Sequence, residues 1–326
     1  MGTVGRDLYK TNFEETQLFL ATIVIATKNR KEMLRAAIES SLAQKGDIEV
    51  VVMDDGSTDG SLEVVRSEFP SVGVQRSEES QGYILQRNRG VELARSNLVV
   101  MIDDDCTFEH PETIQQAVED AMPELVGAVA IPFVNIRRGP EMRKRAPSDE
   151  GVFVTSSFIG CSHLVKRDIF LRLGGYWPPL RHYWEEADYC YRLLAAGYIT
   201  RLGRSLPITH HYTDLARGTR RQRYFAARNT CMFAWHNVPW PYFPLHLMGV
   251  TLREVRAAMR FGFPGATASG VLHGWLDGLR ERAGCKPPPS KVYRLFRRIK
   301  ASDPANLEAF LAELDGIRRS AGTERL

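Results

Sequence analysis

Residues 98–108 read LVVMIDDDCTF, five apolar residues that end abruptly in Asp103, Asp104 and Asp105. An apolar run of this length, bounded by polar residues, predicts a strand that is buried on both faces. Three carboxylates at the end of one strand repel one another unless a cation neutralises them. Because carboxylate oxygens suit hard ions, the triplet predicts a site for Mg2+ or Mn2+ whose remaining positions phosphate oxygens can fill. An acidic turn after a strand is the simpler alternative.

Two further strand ends precede this one along the chain. The apolar stretch 18–26 is followed by Thr27-Lys28-Asn29-Arg30, and the stretch 48–53 is followed by the turn 54–60, which begins with two aspartates. A helical pattern follows each polar segment, and this β-α-β-α order predicts a parallel sheet with helices on both faces. Ligands of such sheets bind beyond the carboxyl ends of the strands, so we expect the three polar ends to meet at one edge.

The turn 54–60 fits neither of two common ligand-binding loops. A calcium loop beginning at Asp55 would need a glutamate where Arg66 stands, and a helix where the pattern predicts a strand. A dinucleotide fingerprint is also excluded, because no glycine follows the first strand. The two aspartates can accept hydrogen bonds from a nucleotide base or ribose. Alternatively, they form a turn before a helix that Ser57 or Thr58 caps.

The segment 81–95, QGYILQRNRGVELAR, predicts an amphipathic helix that leads into the acidic strand. Arg87, Asn88 and Arg89 lie in its middle. We expect the basic groups to reach a diphosphate beside the aspartates. A solvent-exposed basic face is the alternative for at least one of the two arginines.

Four spaced motifs together resemble the family 2 glycosyltransferases, whose members have the GT-A fold, use nucleotide sugars and are mostly inverting. The motifs are TIVIATKNR at 22–30, VVMDDGSTDG at 51–60, QRNRG at 86–90 and MIDDD at 101–105. The resemblance covers about residues 18–212. It implies an α/β fold that is Rossmann-like, with a mostly parallel sheet and helices on both faces.

The resemblance also implies roles for residues at the predicted edge. It implies a nucleotide-diphosphate sugar donor and a divalent metal, Mg2+ or Mn2+. The implied donor-binding residues are Thr27, Asn29, Arg30, Asp54, Asp55, Arg87, Asn88, Asp103 and Asp104. Within the D-x-D motif Asp105 is the expected metal ligand, and Asp103 is expected to face the ribose, or the metal and its water shell. His210, preferred over His211, is the expected third ligand, because imidazole is a suitable ligand beside a carboxylate.

A second acidic group, in YWEEADYC at 183–190, is expected to supply the catalytic base. Relatives carry Glu-Asp-x-Asp here, so Glu186 stands where the usual aspartate base lies, and Glu185 is the alternative. An inverting transfer needs a base that takes the acceptor's proton on the face opposite the leaving diphosphate. Trp184 and Asp188 are expected on the acceptor side. Favourable negative charge in the first turn of a helix is the other explanation of this cluster.

The net charge of +4 conceals an asymmetry. Residues 1–215 hold 24 Lys and Arg against 31 Asp and Glu, whereas residues 216–326 hold 19 against 8. We divide the chain into an N-terminal extension (1–17), a GT-A catalytic domain (18–215) and a basic, mainly helical C-terminal region (216–326). Arginines and apolar residues fall on different faces of two C-terminal segments. This pattern predicts either contact with a membrane surface or packing against the catalytic domain.

Composition narrows the class of protein further. Five scattered cysteines without a C-x-x-C pair predict neither a zinc cluster nor a disulfide framework. No apolar run reaches the roughly 18 residues of a membrane span. We therefore expect a cytoplasmic protein, either free or bound to the inner face of the membrane as a peripheral protein. No nucleic acid partner is expected, because the C-terminal arginines are interleaved with long apolar stretches; a homo-oligomer remains open.

The resulting hypothesis is an inverting, metal-dependent glycosyltransferase of polysaccharide biosynthesis that acts on a saccharide or lipid-linked acceptor. One alternative is a non-catalytic peripheral membrane protein that binds a nucleotide sugar or a polyanion. The glutamate pair argues against it, since a binding protein needs no base. The other alternative is a nucleotidyltransferase, which would normally carry a Gly-rich basic loop after the first strand, where this chain has none.

Overall fold

The computed structural model of the protein describes residues 19–211, 219–282 and 284–322. The predicted N-terminal extension and the predicted domain boundary at 215 lie outside these residues. The strands are β1 (Ala21–Thr27), β2 (Ile48–Asp54), β3 (Gly73–Arg76), β4 (Leu98–Asp103), β5 (Cys106–Phe108), β6 (Val126–Ala130), β7 (Phe133–Asn135), β8 (Met142–Arg143), β9 (Phe153–Val154), β10 (Ser162–Lys166), β11 (Ile199–Leu202), β12 (Ile208–His210) and β13 (Ala305–Asn306).

Eleven α-helices lie between and after these strands in the described part of the chain. They are α1 (Lys31–Leu42), α2 (Ser61–Glu68), α3 (Tyr83–Leu93), α4 (Thr113–Ala121), α5 (Arg167–Arg172), α6 (Glu185–Ala195), α7 (Thr219–Asn237), α8 (Phe243–Phe261), α9 (Pro264–Arg282), α10 (Ser290–Ala301) and α11 (Leu311–Ala321). None of the helices in the described part of the chain is long and apolar enough to cross a bilayer.

The central sheet has the strand order β13-β9-β11-β6-β10-β4-β1-β2-β3. All of these strands point the same way except β9 and β10, which run antiparallel to their neighbours. A smaller sheet has the order β5-β12-β7-β8. The prediction of an α/β fold with a mostly parallel sheet and a C-terminal helical region is therefore confirmed.

The three polar strand ends meet as predicted. In the parallel register Thr27 lies opposite Asp54, and Ala26 lies opposite Asp103. Apart from Ala26, the apolar residues of β1 and β4 are fully or almost fully buried, which fixes the strands at the centre of the core. Burial on both faces ends where the polar residues begin, so these side chains collect at the carboxyl edge.

The turn before α2 differs from the prediction. The helix begins at Ser61, and Gly60, in the left-handed region at φ 87°, is its N-cap. Asp59 stabilises this start, because its carboxylate accepts a hydrogen bond from the Ser61 N–H at 3.1 Å. Ser57 instead accepts a hydrogen bond from the Asn29 N–H. The predicted cap at Ser57 or Thr58 is therefore wrong, and this turn ties β2 to the end of β1.

The C-terminal region packs on the rest of the protein. Helix α9 lies so close to α7 that a Cβ added at Gly270 would meet the Tyr224 carbonyl oxygen at 2.4 Å. Further along, α10 contacts α6 through Tyr191 and Phe296, whose ring centroids are 5.0 Å apart. Strand β13 then pairs with β9 and extends the central sheet. The last segment thus docks in part on its own chain.

Candidate active site

Asp105 and His210 form the acidic end of the site. Strand β12 pairs with β5 so that His210 lies opposite Cys106, the residue after Asp105. The His210 Nε2 is 3.2 Å from the Asp105 Oδ1. The neighbouring His211 is exposed, and its Nε2 lies 2.7 Å from the Thr107 Oγ1 instead. The strand register therefore directs His210, and not His211, toward the aspartate.

The donor set at this point fits a divalent metal. Two ligands at right angles, each about 2.1 Å from one ion, are about 3.0 Å apart, close to the observed separation. Burial alone would lower the pKa of His210, but the hydrogen bonds to Asp105 and Cys161 outweigh burial and raise this pKa to about 10. A metal that bound here would therefore displace a proton from the imidazole.

Cys106 is a third potential ligand that the sequence did not single out. Its thiol lies within 4.8 Å of the Asp105 and His210 donor atoms. Burial raises the pKa of Cys106 well above its usual value, so the thiol is protonated in the metal-free protein. Since thiolates suit softer ions than Mg2+ or Mn2+, the carboxylate and imidazole are the stronger candidates as ligands.

Asp104 joins two strand ends beneath the site. Its carboxylate accepts hydrogen bonds from the Thr27 hydroxyl at 2.8 Å and from Arg30 at 2.7 Å. Arg30 also lies 3.4 Å from Asp105. Burial raises the pKa of Asp104 to about 6, against the opposing effect of Arg30. Three of the predicted donor-binding residues are therefore already engaged with one another at the carboxyl edge.

The two aspartates after β2 shape the neighbouring loops. Asp55 accepts hydrogen bonds from the Ser80 hydroxyl, the Gln81 and Gly82 N–H groups and the Gln86 amide. Asp54 accepts one from the Ser57 N–H at 2.9 Å. Asn29 adds a further link, because its side-chain oxygen accepts from the Thr58 N–H at 2.7 Å. Asp54, Asp55 and Asn29 therefore have a structural role in holding these loops. Their contacts with a nucleotide stay a prediction.

Arg87 lies below the site rather than in it. Only 2% of its side chain is exposed. The guanidinium donates hydrogen bonds to Asp103 at 2.5 Å and to the Gly160 carbonyl oxygen at 2.8 Å, and its Nη1 is 3.6 Å from Glu185. These contacts already occupy the Arg87 guanidinium, and its contact with the donor diphosphate stays a prediction. A buried guanidinium needs carboxylate partners, and Arg87 joins the acidic strand end to the glutamate pair.

The two candidate bases have different surroundings. Glu185 is buried against Arg87, whereas Glu186 is partly exposed and lines a cavity. The Glu186 Oε1 accepts a hydrogen bond from the Gly160 N–H at 3.0 Å. A Cβ at residue 160 would meet this same oxygen at 2.7 Å, which explains the glycine. Burial raises the pKa of both carboxyl groups, and for Glu185 the charge of Glu186 adds to this effect.

The backbone before the glutamate pair is strained. Arg181, Tyr183 and Trp184 all have positive φ angles, which are costly for residues with side chains. Asn229 of α7 holds this segment, because its amide donates to the carbonyl oxygens of Leu180, His182 and Tyr183. Asn229 is fully buried. The sequence did not identify this function, since its partners lie more than forty residues away.

A cavity of about 580 Å3 opens beside the held segment. Its lining residues come from four separate parts of the chain and are Tyr183, Trp184, Glu186, Ala187, Gln222, Arg223, Ala226, Phe263 and Lys300. This volume is in the range of about 300–1,000 Å3 that small-molecule sites occupy. Trp184, predicted on the acceptor side, lies in the cavity wall next to Glu186.

Comparison with known proteins identifies the domain that carries this geometry. The family described as Glycosyl transferase family 2 matches residues 22–180. Residues 22–180 belong to glycosyl transferase family 2. The succinoglycan biosynthesis protein ExoU of Rhizobium meliloti is 38% identical over 89 residues, which are 26% of this chain and 26% of ExoU.

A second relative and a solved structure are also similar to this chain. The glucosyl-dolichyl phosphate glucuronosyltransferase of Haloferax volcanii is 30% identical over 176 residues, 48% of this chain and 55% of that protein. The matches thus span about a quarter and about half of these relatives. A mannosyltransferase from Pyrobaculum calidifontis, solved with GDP-Man and Mn2+, has a TM-score of 0.53 at 19% identity. The structural alignment covers 94% of this chain and 86% of the mannosyltransferase chain, so the two proteins share a fold.

Two residues predicted in the site, Asn88 and Asp188, make structural contacts. Asn88 uses both ends of its amide on the Tyr176 backbone, donating to the carbonyl oxygen at 2.8 Å and accepting from the N–H at 2.9 Å. Asp188 is fully buried, and it contacts Arg192, His236 and Asn237. These contacts give Asp188 a structural role, and a contact with the acceptor stays a prediction. Buried carboxylates need several donors, and Asp188 finds them on α6 and α7.

Replacing Asp188 by alanine should destabilise this protein by about 3–5 kcal/mol, because Arg192 loses its buried partner. Burial would raise the pKa of Asp188, but Arg192, His236 and Asn237 hold it well below the usual value. The stabilisation is thus present above pH about 4 and is lost as pH falls toward the folded-state pKa. Urea unfolding measures the effect.

Asp168→Ala is the matched control, since Asp168 faces solvent and lies 3.8 Å from Arg172 on α5. An exposed pair of this kind contributes about 0–1 kcal/mol. If the two variants unfolded at the same urea concentration, Asp188 would not have the structural role that its contacts indicate.

Proposed function

We propose that this protein transfers a sugar from a nucleotide-diphosphate donor to an acceptor hydroxyl, with Glu186 as the general base. The observation that carries the proposal is the buried Arg87, which contacts Asp103 at the acidic edge and Glu185 beside the base. Through this one side chain the predicted metal end and the predicted base end form one site next to the cavity. Membership of family 2 supports the donor class.

Glu186 is the residue that we assign to proton removal. Its Oε1 is held by the Gly160 N–H, and its side chain lines the cavity from which an acceptor would approach. As the acceptor oxygen bonds to the anomeric carbon, its proton passes to this carboxylate and the bond to the diphosphate breaks. A raised pKa makes Glu186 a stronger base than an ordinary glutamate.

Inversion is part of the proposal. A single displacement needs one carboxylate on the acceptor side, and Glu186 supplies it. Glu185 lies behind it, buried against Arg87, and is poorly suited to serve as a second reacting group. The product would then carry the opposite anomeric configuration from the donor, which NMR of the product can measure.

Asp105 and His210 are the residues that we assign to metal binding. When bound, a divalent metal supplies Lewis-acid stabilisation of the leaving diphosphate, worth several kcal/mol. Carboxylate oxygen suits Mg2+ or Mn2+, and imidazole suits transition metals, so the pair favours Mn2+. The mannosyltransferase with the same fold was solved with Mn2+, which is in keeping with this assignment.

The test of the function is donor binding and turnover. Calorimetry with UDP-, GDP- and dTDP-sugars, with and without Mn2+, should identify one donor class that binds tightly only when the metal is present. The same donor should release its nucleoside diphosphate slowly in water and faster when a saccharide or lipid-linked acceptor is added. A donor that binds but is never turned over with any acceptor would instead favour a nucleotide-sugar-binding protein.

The acceptor side of the proposal includes the C-terminal region (216–326) and a membrane surface. Helices α8 and α9 expose an apolar face that other parts of the protein do not cover in the described residues. Its members are Leu245, Met248, Leu252, Val255, Met259, Leu272, Trp275, Leu276 and Leu279. Exposed arginines flank this face, among them Arg253 and Arg256. The combination suits an anionic bilayer, which attracts the arginines and accommodates the apolar side chains, better than a second copy with the same positive charge.

We expect Leu252→Asp combined with Met259→Asp to abolish binding to vesicles that contain phosphatidylglycerol. These side chains are 53% and 78% exposed, so the change should not unfold the protein. Ile136→Asp is the control, since it is 54% exposed and lies outside the C-terminal region. Co-sedimentation measures binding. The membrane contact would be contradicted if the wild-type protein did not bind vesicles and instead dimerised through this face in sedimentation analysis.

A further inference from the structure

Tyr83, the first residue of α3, contacts two separate parts of the site. Its hydroxyl oxygen accepts a hydrogen bond from the Tyr183 N–H at 3.0 Å. One turn further along the same helix, the Arg87 guanidinium lies over the Tyr83 ring, 4.9 Å from the ring centroid. Arg87 in turn contacts Asp103. Tyr83 therefore joins the strained segment before the glutamate pair to the guanidinium that reaches the acidic edge.

The Tyr83 hydroxyl also faces the Glu185 carboxyl group. A phenol hydroxyl has one proton to donate and lone pairs that accept. Because its oxygen accepts from the Tyr183 N–H, the proton remains for a second partner, and Glu185 is the partner that it meets. Burial raises the pKa of Glu185, and the hydrogen bond from Tyr83 is one of the interactions that oppose this rise. The hydroxyl thus bridges a backbone N–H and the buried member of the glutamate pair.

The backbone of Tyr183 is held from both sides. Tyr83 accepts from its N–H, and the Asn229 amide of α7 donates to its carbonyl oxygen at 3.0 Å. Tyr183 and Trp184 have φ angles of 67° and 74°, and such backbone persists only where the surroundings hold it. Glu186 follows two residues after Trp184, in the first turn of α6. The direction of its side chain therefore depends on this held segment.

We propose that Tyr83 is a positioning residue of the transfer reaction: its hydroxyl holds Tyr183 and Glu185 so that the carboxylate of the next residue, Glu186, faces the acceptor. This inference rests on the proposed function, because it takes Glu186 as the base. Tyr83 is not among the residues that line the cavity in the described part of the chain, so it acts through its neighbours and not on the acceptor. Misplacing a reacting group by about 1 Å can lower a rate about a hundredfold. The hydroxyl should therefore contribute to turnover and not to substrate affinity.

Tyr83→Phe removes the hydroxyl and keeps the ring. The ring packs edge to face with His182 at a centroid distance of 5.4 Å and lies against Arg87, and phenylalanine retains both contacts. The measured reaction is the release of nucleoside diphosphate in water from UDP-, GDP- and dTDP-sugars with Mn2+, because an attacking water also needs a base. We expect kcat to fall about tenfold to a hundredfold while KM for the donor stays unchanged.

Tyr198→Phe is the matched control. The Tyr198 hydroxyl accepts a hydrogen bond from Arg172 at 3.2 Å, and Tyr198 follows the end of α6 that is distant from Glu186. Its loss should leave kcat unchanged. Calorimetry with the same donor gives the number of binding sites in each preparation, and turnover per site excludes a loss that comes only from unfolded protein.

A double-mutant cycle with Glu186→Gln gives a readout that a general structural role would not produce. If the hydroxyl acts through Glu186, Tyr83→Phe should lower kcat by less than about twofold in the Glu186→Gln background. The inference would be overturned by wild-type kcat in Tyr83→Phe, by a loss of equal size in both backgrounds, or by a change confined to KM. Wild-type turnover in Glu186→Gln alone would instead overturn Glu186 as the base, so the two failures are distinguishable.

Discussion

Replacing Asp105 by alanine should abolish metal-dependent donor binding and lower turnover by about a thousandfold. The size follows from the loss of Lewis-acid stabilisation, which at about 4 kcal/mol corresponds to about three powers of ten in rate. Asp105 is fully buried at the strand end and faces His210 at 3.2 Å, so its removal takes away half of the proposed metal ligands. Calorimetry with the cognate donor in Mn2+ measures the affinity, and nucleoside diphosphate release measures turnover.

Two histidine variants sharpen this experiment. His210→Ala should weaken metal-dependent binding in the same direction, whereas His211→Ala should leave binding unchanged, because its ring faces Thr107 and solvent. Cys106→Ala tests the third potential ligand and should retain Mn2+ dependence if oxygen and nitrogen hold the ion. Unchanged affinity and turnover in both Asp105→Ala and His210→Ala would remove the metal from the proposed function.

Local pattern was sufficient to predict the frame of the site. The strands ending at Thr27, Asp54 and Asp103 were recognisable because buried parallel strands are continuous apolar runs and their polar ends stand out. Their adjacency followed from the parallel order of the sheet. The helix start at Glu185 was also visible, since three acidic residues open its first turn.

Tertiary partners were not visible in the same way. Arg87, Asn88 and Asp188 all carry polar groups of the kind that bind ligands, yet each contacts a buried residue that is distant in sequence. Spacing along the chain cannot distinguish these cases, because the partner decides whether a polar group faces a ligand or the core. Lys300 shows the opposite case, because the sequence did not place it near the site. It lines the cavity because α10, near the end of the chain, packs beside α6.

The start of α2 is another feature that a tertiary contact decides. Ser57 is a good capping residue by type, but it is buried and receives the Asn29 N–H, so the helix begins later. The intrinsic preference of Ser57 for a helix N-cap is thus outweighed by its hydrogen bond to Asn29, which links the end of β1 to the turn after β2. Positions next to a ligand-binding edge are where such overrides are expected.

Replacing Glu186 by glutamine should lower turnover by about 10^2–10^4 while leaving donor affinity unchanged, because general-base catalysis contributes about this factor. Glutamine keeps the side-chain oxygen that accepts the Gly160 hydrogen bond, so the change removes the proton acceptor and little else. Glu185→Gln is the comparison. It should act mainly through Arg87, lowering stability more than turnover, since Glu185 is buried against that guanidinium.

The pH dependence gives an independent readout of the same residue. A base works when it is deprotonated, and burial raises the pKa of Glu186, so wild-type turnover should fall on the acid side at a higher pH than an ordinary glutamate would give. This acid limb should disappear in the residual activity of Glu186→Gln. Because the two carboxyl groups interact, the measured pKa belongs to the pair. If Glu186→Gln lost only donor affinity and its turnover still fell on the acid side, another residue would be the base. Glu185 would then be the first residue to test.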